Sequence, residues 1–346
     1  MPMLPINNHG IKKILIIKLR GIGDVILSTV ILDSLKDAFP NAQIDFLTEK
    51  PGVSILRELP HINEVIVFNR KSTIERTLQL YKIRSKRYDF VIDLFSNPAT
   101  ALITFFSGAK YRAGFPYRGR KYAYNILGPA ERDKFHAADL HLELIKSAGL
   151  KIYSKNLYIG LTNKDYSFAG NFFTGKGFDN YFVVGIIPGG GWPSKKCDPE
   201  KFAEIADKLV EEFSARILIL WGPGDLEDAK SIQEQMGNTS VLAPDTTLRE
   251  MGALISKCDM VVANDSGPMH LAVAVGTPVL SLHGPTDPKL QGPYGEKHEW
   301  IRLEELDCIG CNLLNCPKNH ECFLNLPVSA VIDKVKLLIH KNNITH

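Results

Sequence analysis

Short apolar runs alternate with amphipathic stretches along almost the whole chain, the rhythm of a parallel α/β architecture. In the first half, residues 14–18, 43–47, 64–68, 90–94 and 110–114 read as strands. Residues 24–39 carry Val25, Leu27, Ile31, Leu32 and Leu35 near helical spacing, and Pro40-Asn41 stops that helix. A second helix over 137–148 ends at Gly149, a residue suited to helix termination. From about Asn180 a new series begins. Strands are expected at 182–187, 217–221, 260–263 and 278–282, with helices at 199–213, 226–236, 248–257, 267–275 and 328–341.

The polar stretch 162–180 contains three glycines and reads as a linker. Each half opens with a buried strand, a glycine-containing turn and a helix. The expected architecture is therefore two Rossmann-like, doubly wound parallel-sheet domains facing a cleft. Residues 1–170 form the first and 171–346 the second, with the last helix free to pack back on the first. In such sheets, ligands sit at the carboxyl ends of the strands, where these glycine turns lie.

Charge changes this picture. The net +3 hides +11 over residues 1–178 against −8 in the remainder. Basic residues cluster at 70–87 and at 110–121. A bias of this kind draws an anionic partner to the first half. The 45% hydrophobic content is that of an ordinary globular protein, and no apolar run approaches the ~18 residues of a membrane span. The first ten residues lack the pattern of a secretory signal, so a cytoplasmic protein is expected.

Three motifs stand at predicted strand ends. Gly21-Ile22-Gly23-Asp24 lets the backbone approach a ligand and puts Asp24 at a helix start, either as a capping carboxylate or as a functional one. The turn lacks the third glycine of a dinucleotide fingerprint. Pro188-Gly189-Gly190-Gly191-Trp192-Pro193-Ser194-Lys195-Lys196 offers backbone N–H groups and a cation to an anion, without P-loop spacing. Asn264-Asp265-Ser266-Gly267-Pro268-Met269-His270 aims another helix start at the same edge, with Asp265 able to accept hydrogen bonds from sugar hydroxyls. Gly284-Pro285-Thr286-Asp287-Pro288 adds further donors there. No Asp-x-Asp pair exists to hold a divalent cation on a diphosphate, so lysine and helix N-termini would have to stabilise one.

Four of the six cysteines, Cys308, Cys311, Cys316 and Cys322, fall within fifteen positions. Their spacing suits a structural Zn²⁺ site, reduced packing cysteines or a disulfide, and no catalytic metal is expected.

With these residues in view, the chain resembles the bacterial heptosyltransferases of lipopolysaccharide core synthesis, glycosyltransferase family 9. The likeness is carried by "IKLRGIGDVILSTVIL", "PGGGWPSKK", "NDSGPMHLAVAVGTPVLSLHGPTDPKLQGPYG" and the late cysteines. It implies the two-Rossmann GT-B fold, with the acceptor on the first domain and the nucleotide-sugar on the second. It implies an inverting, metal-independent glycosyltransferase that moves heptose from ADP-heptose to the inner core of lipopolysaccharide, on Kdo-lipid A or a heptosylated core. Asp24 matches the general base, with Gly23, Arg112, Arg118 and Arg120 on the acceptor side. Gly190, Gly191, Lys195, Glu227, Asp265, Ser266, Gly267, His270 and Thr286 match the donor side. Peripheral contact with the cytoplasmic face of the inner membrane, and no nucleic-acid partner, follow from the same resemblance. Cys197 departs from it, standing where relatives often carry tryptophan. The alternatives are a family-9 enzyme using another nucleotide-sugar and a GT-B-fold nucleotide-sugar epimerase.

Overall fold

The computed structural model describes residue 6, residues 10–69 and residues 73–345, so Arg70 and Lys71 of the first basic cluster lie outside the described residues. The chain divides into two compact units, Met1–Gly160 and Leu161–His346.

The first unit runs β1 (Lys13–Ile17), α1 (Ile22–Ser28), α2 (Leu32–Ala38), β2 (Gln43–Thr48), α3 (Lys50–Leu56), β3 (Glu64–Val67), α4 (Thr73–Lys86), β4 (Phe90–Asp93), α5 (Pro98–Phe106), β5 (Tyr111–Gly114), β6 (Ile126–Leu127) and α6 (Ala137–Ser147). Its six strands are all parallel in the order β3-β2-β1-β4-β5-β6. The strands at its centre are buried on both faces, which is why they read as unbroken apolar runs and not as alternation. Strand order reverses between β1 and β4.

The second unit runs α7 (Asn163–Gly175), β7 (Val183–Ile187), α8 (Pro199–Phe213), β8 (Arg216–Ile219), α9 (Leu226–Gln235), β9 (Ser240–Leu242), α10 (Leu248–Ile255), β10 (Met260–Asn264), α11 (Gly267–Val275), β11 (Val279–Leu282), α12 (Pro288–Gln291), β12 (Glu299–Ile301), α13 (Glu321–Leu324) and α14 (Val328–Asn342). Its order, β12-β11-β10-β7-β8-β9, is again parallel throughout and reverses between β7 and β10. The core beneath one face is made by Phe202, Ile205 and Leu209 of α8 with Val331, Val335 and Leu338 of α14.

Two expectations need correction. The helix expected over 24–39 starts at Ile22 and is two helices joined by a 3₁₀ turn, Thr29–Ile31. There the Ser28 and Thr29 hydroxyls donate back to the carbonyls of Val25 and Ile26, a bonding pattern that loosens a helix. The stretch read as a linker holds α7, started by a capping box in which Thr162 and Asp165 satisfy each other's backbone N–H groups. The last helix packs on α8, β11 and β12 of its own unit.

Candidate active site

In the first unit, β1 delivers Lys18 and α1 delivers Asp24 to the carboxyl edge of the sheet, at the point where strand order reverses. Gly21 caps α1 with φ 78°, a conformation that a side chain resists. A Cβ on Gly21 would come within 2.6 Å of Asp24 Oδ2. That glycine is therefore needed twice, for the turn and for the space in which the carboxylate lies. Asp24 is the third residue of the helix, after the Gly21 cap. Its Oδ1 pairs with the Lys18 ammonium at 3.0 Å. Lys18 is buried, at 8% exposure, whereas the Asp24 side chain is 49% exposed, so the pair presents its carboxylate outward.

A cavity of about 110 Å³ opens beside that carboxylate, lined among others by Lys18, Phe95, Tyr117, Arg132 and His141. The Lys18 ammonium lies 5.6 Å from the Phe95 ring, and the Arg132 guanidinium 5.5 Å from the Tyr117 ring. Burial, reinforced by the Lys18 charge, pushes His141 down to about 3, so it is neutral at physiological pH. None of these five was singled out as a site residue from the sequence. They come from distant segments, and the pocket forms only when the sheet does.

The expected acceptor-side residues fall into two groups. Gly23 is buried in the first turn of α1, and Arg118 is exposed beyond β5. Arg112 and Arg120 serve the backbone: Arg112 donates to the carbonyls of Ala123 and Ala109, and Arg120 to that of Ser96. Arg120 also lies 6.0 Å from the Tyr117 ring.

In the second unit, the loop after β7 and the turn after β10 meet at the corresponding reversal. Lys195 Nζ pairs with Asp265 Oδ2 at 2.7 Å, with both side chains at or below 10% exposure. Thr286 donates to the same carboxylate at 2.6 Å, and the Trp192 ring lies 4.5 Å from the ammonium. Burial works against the Asp265 carboxylate. The neighbouring His283, the Lys195 ammonium and the bonds from Lys195 and Thr286 outweigh it, holding Asp265 below the usual carboxylate range. His283, wholly buried against Ser281 and Thr286, is pushed down to about 4 by that burial.

Asn264 ties the two loops together, accepting from the Cys197 N–H and donating to the Pro188 carbonyl at 2.7 Å. Ser266 caps α11, its hydroxyl accepting from the Met269 N–H. Gly267 opens that helix, and His270 is buried one turn further in. Gly190 packs so closely that a Cβ there would stand 2.8 Å from Lys196, while Gly191 is exposed with open space around it. Lys196 bridges Asp225 and Asp228, each at 2.7 Å. Glu227, between them, is 85% exposed and pairs with Lys230. Cys197 belongs to the core under the sheet, and burial raises its thiol well above the ordinary value.

The cysteine segment braces this edge. Gly310 and Asn312 donate backbone N–H groups to the carbonyls of Gly284 and Pro285, and Ser194 bonds the carbonyls of Leu313 and Leu314. All four late cysteines line a cavity of about 50 Å³ behind those loops. The Cys316 sulfur accepts from the N–H groups of Lys318 and His320. All four are free thiols, and among the described residues no three His, Cys, Asp or Glu side chains stand in metal-ligating geometry.

Two doubly wound parallel units, each with charged side chains at its strand-order reversal, match the two-Rossmann arrangement expected of the GT-B glycosyltransferases. Comparison with known proteins narrows this. Residues 78–320 match the model of "Glycosyltransferase family 9 (heptosyltransferase)", and the chain belongs to that family. The lipopolysaccharide core heptosyltransferase OpsX of Haemophilus influenzae is 25% identical over 87% of each chain. The glycosyl transferase family 9 structure from Veillonella parvula DSM 2008 superposes with TM-score 0.84 at 25% identity, covering 95% of this chain and 97% of that one. The E. coli heptosyltransferase WaaC with ADP-2-deoxy-2-fluoro heptose superposes at 0.69 and 24% identity, over 94% and 99%. The expected fold class and the expected glycosyltransferase are borne out.

Proposed function

We propose that this glycosyltransferase moves heptose from ADP-heptose to the inner core of lipopolysaccharide, with inversion at the anomeric carbon and without a catalytic metal. The observation that carries the reading is the Lys18–Asp24 pair, an outward-facing carboxylate steered by a buried ammonium. The donor is supported by the relative solved with a fluorinated ADP-heptose, and the acceptor by the core heptosyltransferase of Haemophilus.

In this reading Asp24 takes the proton from the acceptor hydroxyl as that oxygen attacks the anomeric carbon. The C–O bond to the diphosphate breaks as the new glycosidic bond forms, and one carboxylate suffices for such a single displacement. Lys18 holds the carboxylate in place. Lys195, kept rigid by Asp265 and Trp192, meets the charge developing on the leaving ADP, aided by the N–H groups of the glycine loop and of the start of α11. Asp265, Ser266 and Thr286 address the donor hydroxyls from the same edge. The absence of an Asp-x-Asp pair in the sequence supports stabilisation by lysine and amides.

The reading places the enzyme in the cytoplasm, on the cytoplasmic face of the inner membrane. Among the described residues no helix is long and apolar enough to cross a membrane. Incubation of the protein with ADP-heptose and Kdo-lipid A in EDTA, with mass detection and proton NMR of the new linkage, tests it. A heptosylated product of inverted configuration is expected, and a requirement for divalent metal would overturn the metal-independent step.

A further inference from the structure

The first unit carries a surface that the transfer chemistry does not use. Leu78 and Tyr81 of α4 lie three residues apart on one helix face, as do Leu102 and Phe105 of α5. Leu78, Tyr81, Leu102, Phe105, Phe106 and Tyr122 are all exposed, Tyr81 at 75% and Phe106 at 53%. They are not scattered. α5 packs against α4 on one side and the Lys121–Ala123 turn on the other, and Phe105 meets both Phe106 and Tyr122 edge-on. Between the helices runs an open groove of about 510 Å³ lined by Leu80, Tyr81, Arg84, Phe105 and Phe106.

Basic residues predominate around this patch. Residues 77–124 contain nine Lys or Arg against two Asp. Asp93 is wholly buried, and Asp89 is occupied by the N–H groups of Lys12 and Lys13. Lys82, Arg84, Arg87, Lys110 and Lys121 are exposed. Aromatic side chains with a basic rim suit the headgroup level of a bilayer, where rings enter the interface and cations meet lipid phosphate. A second copy of this chain would set two basic rims against each other, which disfavours self-association through this face.

We infer that the α4–α5 face, with Phe105 and Phe106 at its centre, docks the enzyme on a bilayer rich in acidic phospholipid. The inference deepens the proposed function, on which it rests for its purpose, because it would deliver the first unit to a lipid-borne acceptor. The binding itself needs no substrate.

Flotation of the full chain with vesicles tests it, using phosphatidylcholine alone or with about one third phosphatidylglycerol. The protein should float with the acidic vesicles and not with the neutral ones, and raised NaCl should release it. Phe105→Ser with Phe106→Ser should weaken binding about tenfold or more, and Lys82→Glu with Arg87→Glu should do likewise. Thermal melting checks that these exposed substitutions leave the fold intact. Heptose transfer to a delipidated core fragment should be unchanged in the Phe105/Phe106 variant, so loss of docking and failure of the proposed activity are read separately. Absence of flotation, equal flotation on neutral vesicles, or undiminished flotation of the serine variant would overturn the inference. So would a wild-type dimer that the serine substitutions dissociate, since a second copy would then own this face.

Discussion

Lys195 and Asp265 stand seventy positions apart in the chain, yet their side chains pair at 2.7 Å inside an almost solvent-free edge of the second sheet. The loop after β7 and the turn after β10 can meet only because those strands are neighbours at the strand-order reversal. The pair therefore reports on the fold and on the chemistry together.

Breaking the pair on one side should cost stability as well as activity. Lys195→Met leaves Asp265 buried without its cation, a loss of about 3–5 kcal/mol on the scale of broken buried pairs. Lys195→Met combined with Asp265→Asn should recover much of that loss. Denaturant titration of the wild type, the single variant and the double variant checks the ordering. Transfer activity should stay low in both variants, since each lacks the Lys195 ammonium.

Gly21→Ala probes the other sheet. A side chain at φ 78° costs about 1–2 kcal/mol, and its Cβ would press on Asp24 Oδ2. We expect a modest fall in melting temperature with a much larger fall in kcat, because the carboxylate must rotate away. A variant with lowered stability but normal kcat would separate Gly21 from Asp24.

Acid should weaken the fold through two buried histidines. His283 is pushed down to about 4 and His141 to about 3, both below the ordinary 6.5 and both primarily by burial. Below pH 6.5 the unfolded chain therefore takes up protons that the folded chain refuses, and stability falls as pH drops toward 4. Each histidine contributes on the order of 3 kcal/mol across that window. Asp265, held low in the fold, adds a further loss only below about pH 3.8. Urea midpoints from pH 7 to 4 should decline for the wild type and decline less steeply for His283→Gln.

Thiol chemistry should sort the cysteines by position. Cys311 is exposed, Cys197 and Cys258 are buried, and Cys322 is pushed up to about 12, mainly by burial. A maleimide reagent should modify Cys311 first in chelator-treated protein and reach Cys197 and Cys258 only on unfolding. Peptide mapping by mass spectrometry gives the order.

The fold was legible where local chemistry and long-range packing agree. α8 and α11 lie at their expected bounds, since Pro199 and Pro268 mark their first turns and Gly276, in the left-handed conformation, ends α11. α5 and α7 were not legible, although each opens with a capping box, Asn97 with Thr100 and Thr162 with Asp165. The caps are polar, so no helix is expected over 98–106 and 162–180 reads as a linker, whereas those polar residues start helices. At the site, Asp24, Lys195, Asp265 and Thr286 were visible because each adjoins a glycine or proline turn at a strand end. Lys18 looked like the end of an apolar run, and Tyr117, Arg132 and His141 join Asp24 only through the tertiary fold. Glu227, expected on the donor side from the resemblance, is exposed and pairs with Lys230, and its neighbours Asp225 and Asp228 bind Lys196.

The central claim is that the half-exposed carboxylate beside Lys18 performs the proton transfer of glycosyl transfer. Single-turnover mixing of enzyme, ADP-heptose and Kdo-lipid A, comparing wild type with Asp24→Asn, tests it most directly. The predicted result is a chemical step slowed by ~10²-fold or more, with donor affinity unchanged and the protein still folded, its melting temperature lowered by loss of the counter-charge to buried Lys18. A folded Asp24→Asn enzyme that transfers heptose at the wild-type rate would contradict it.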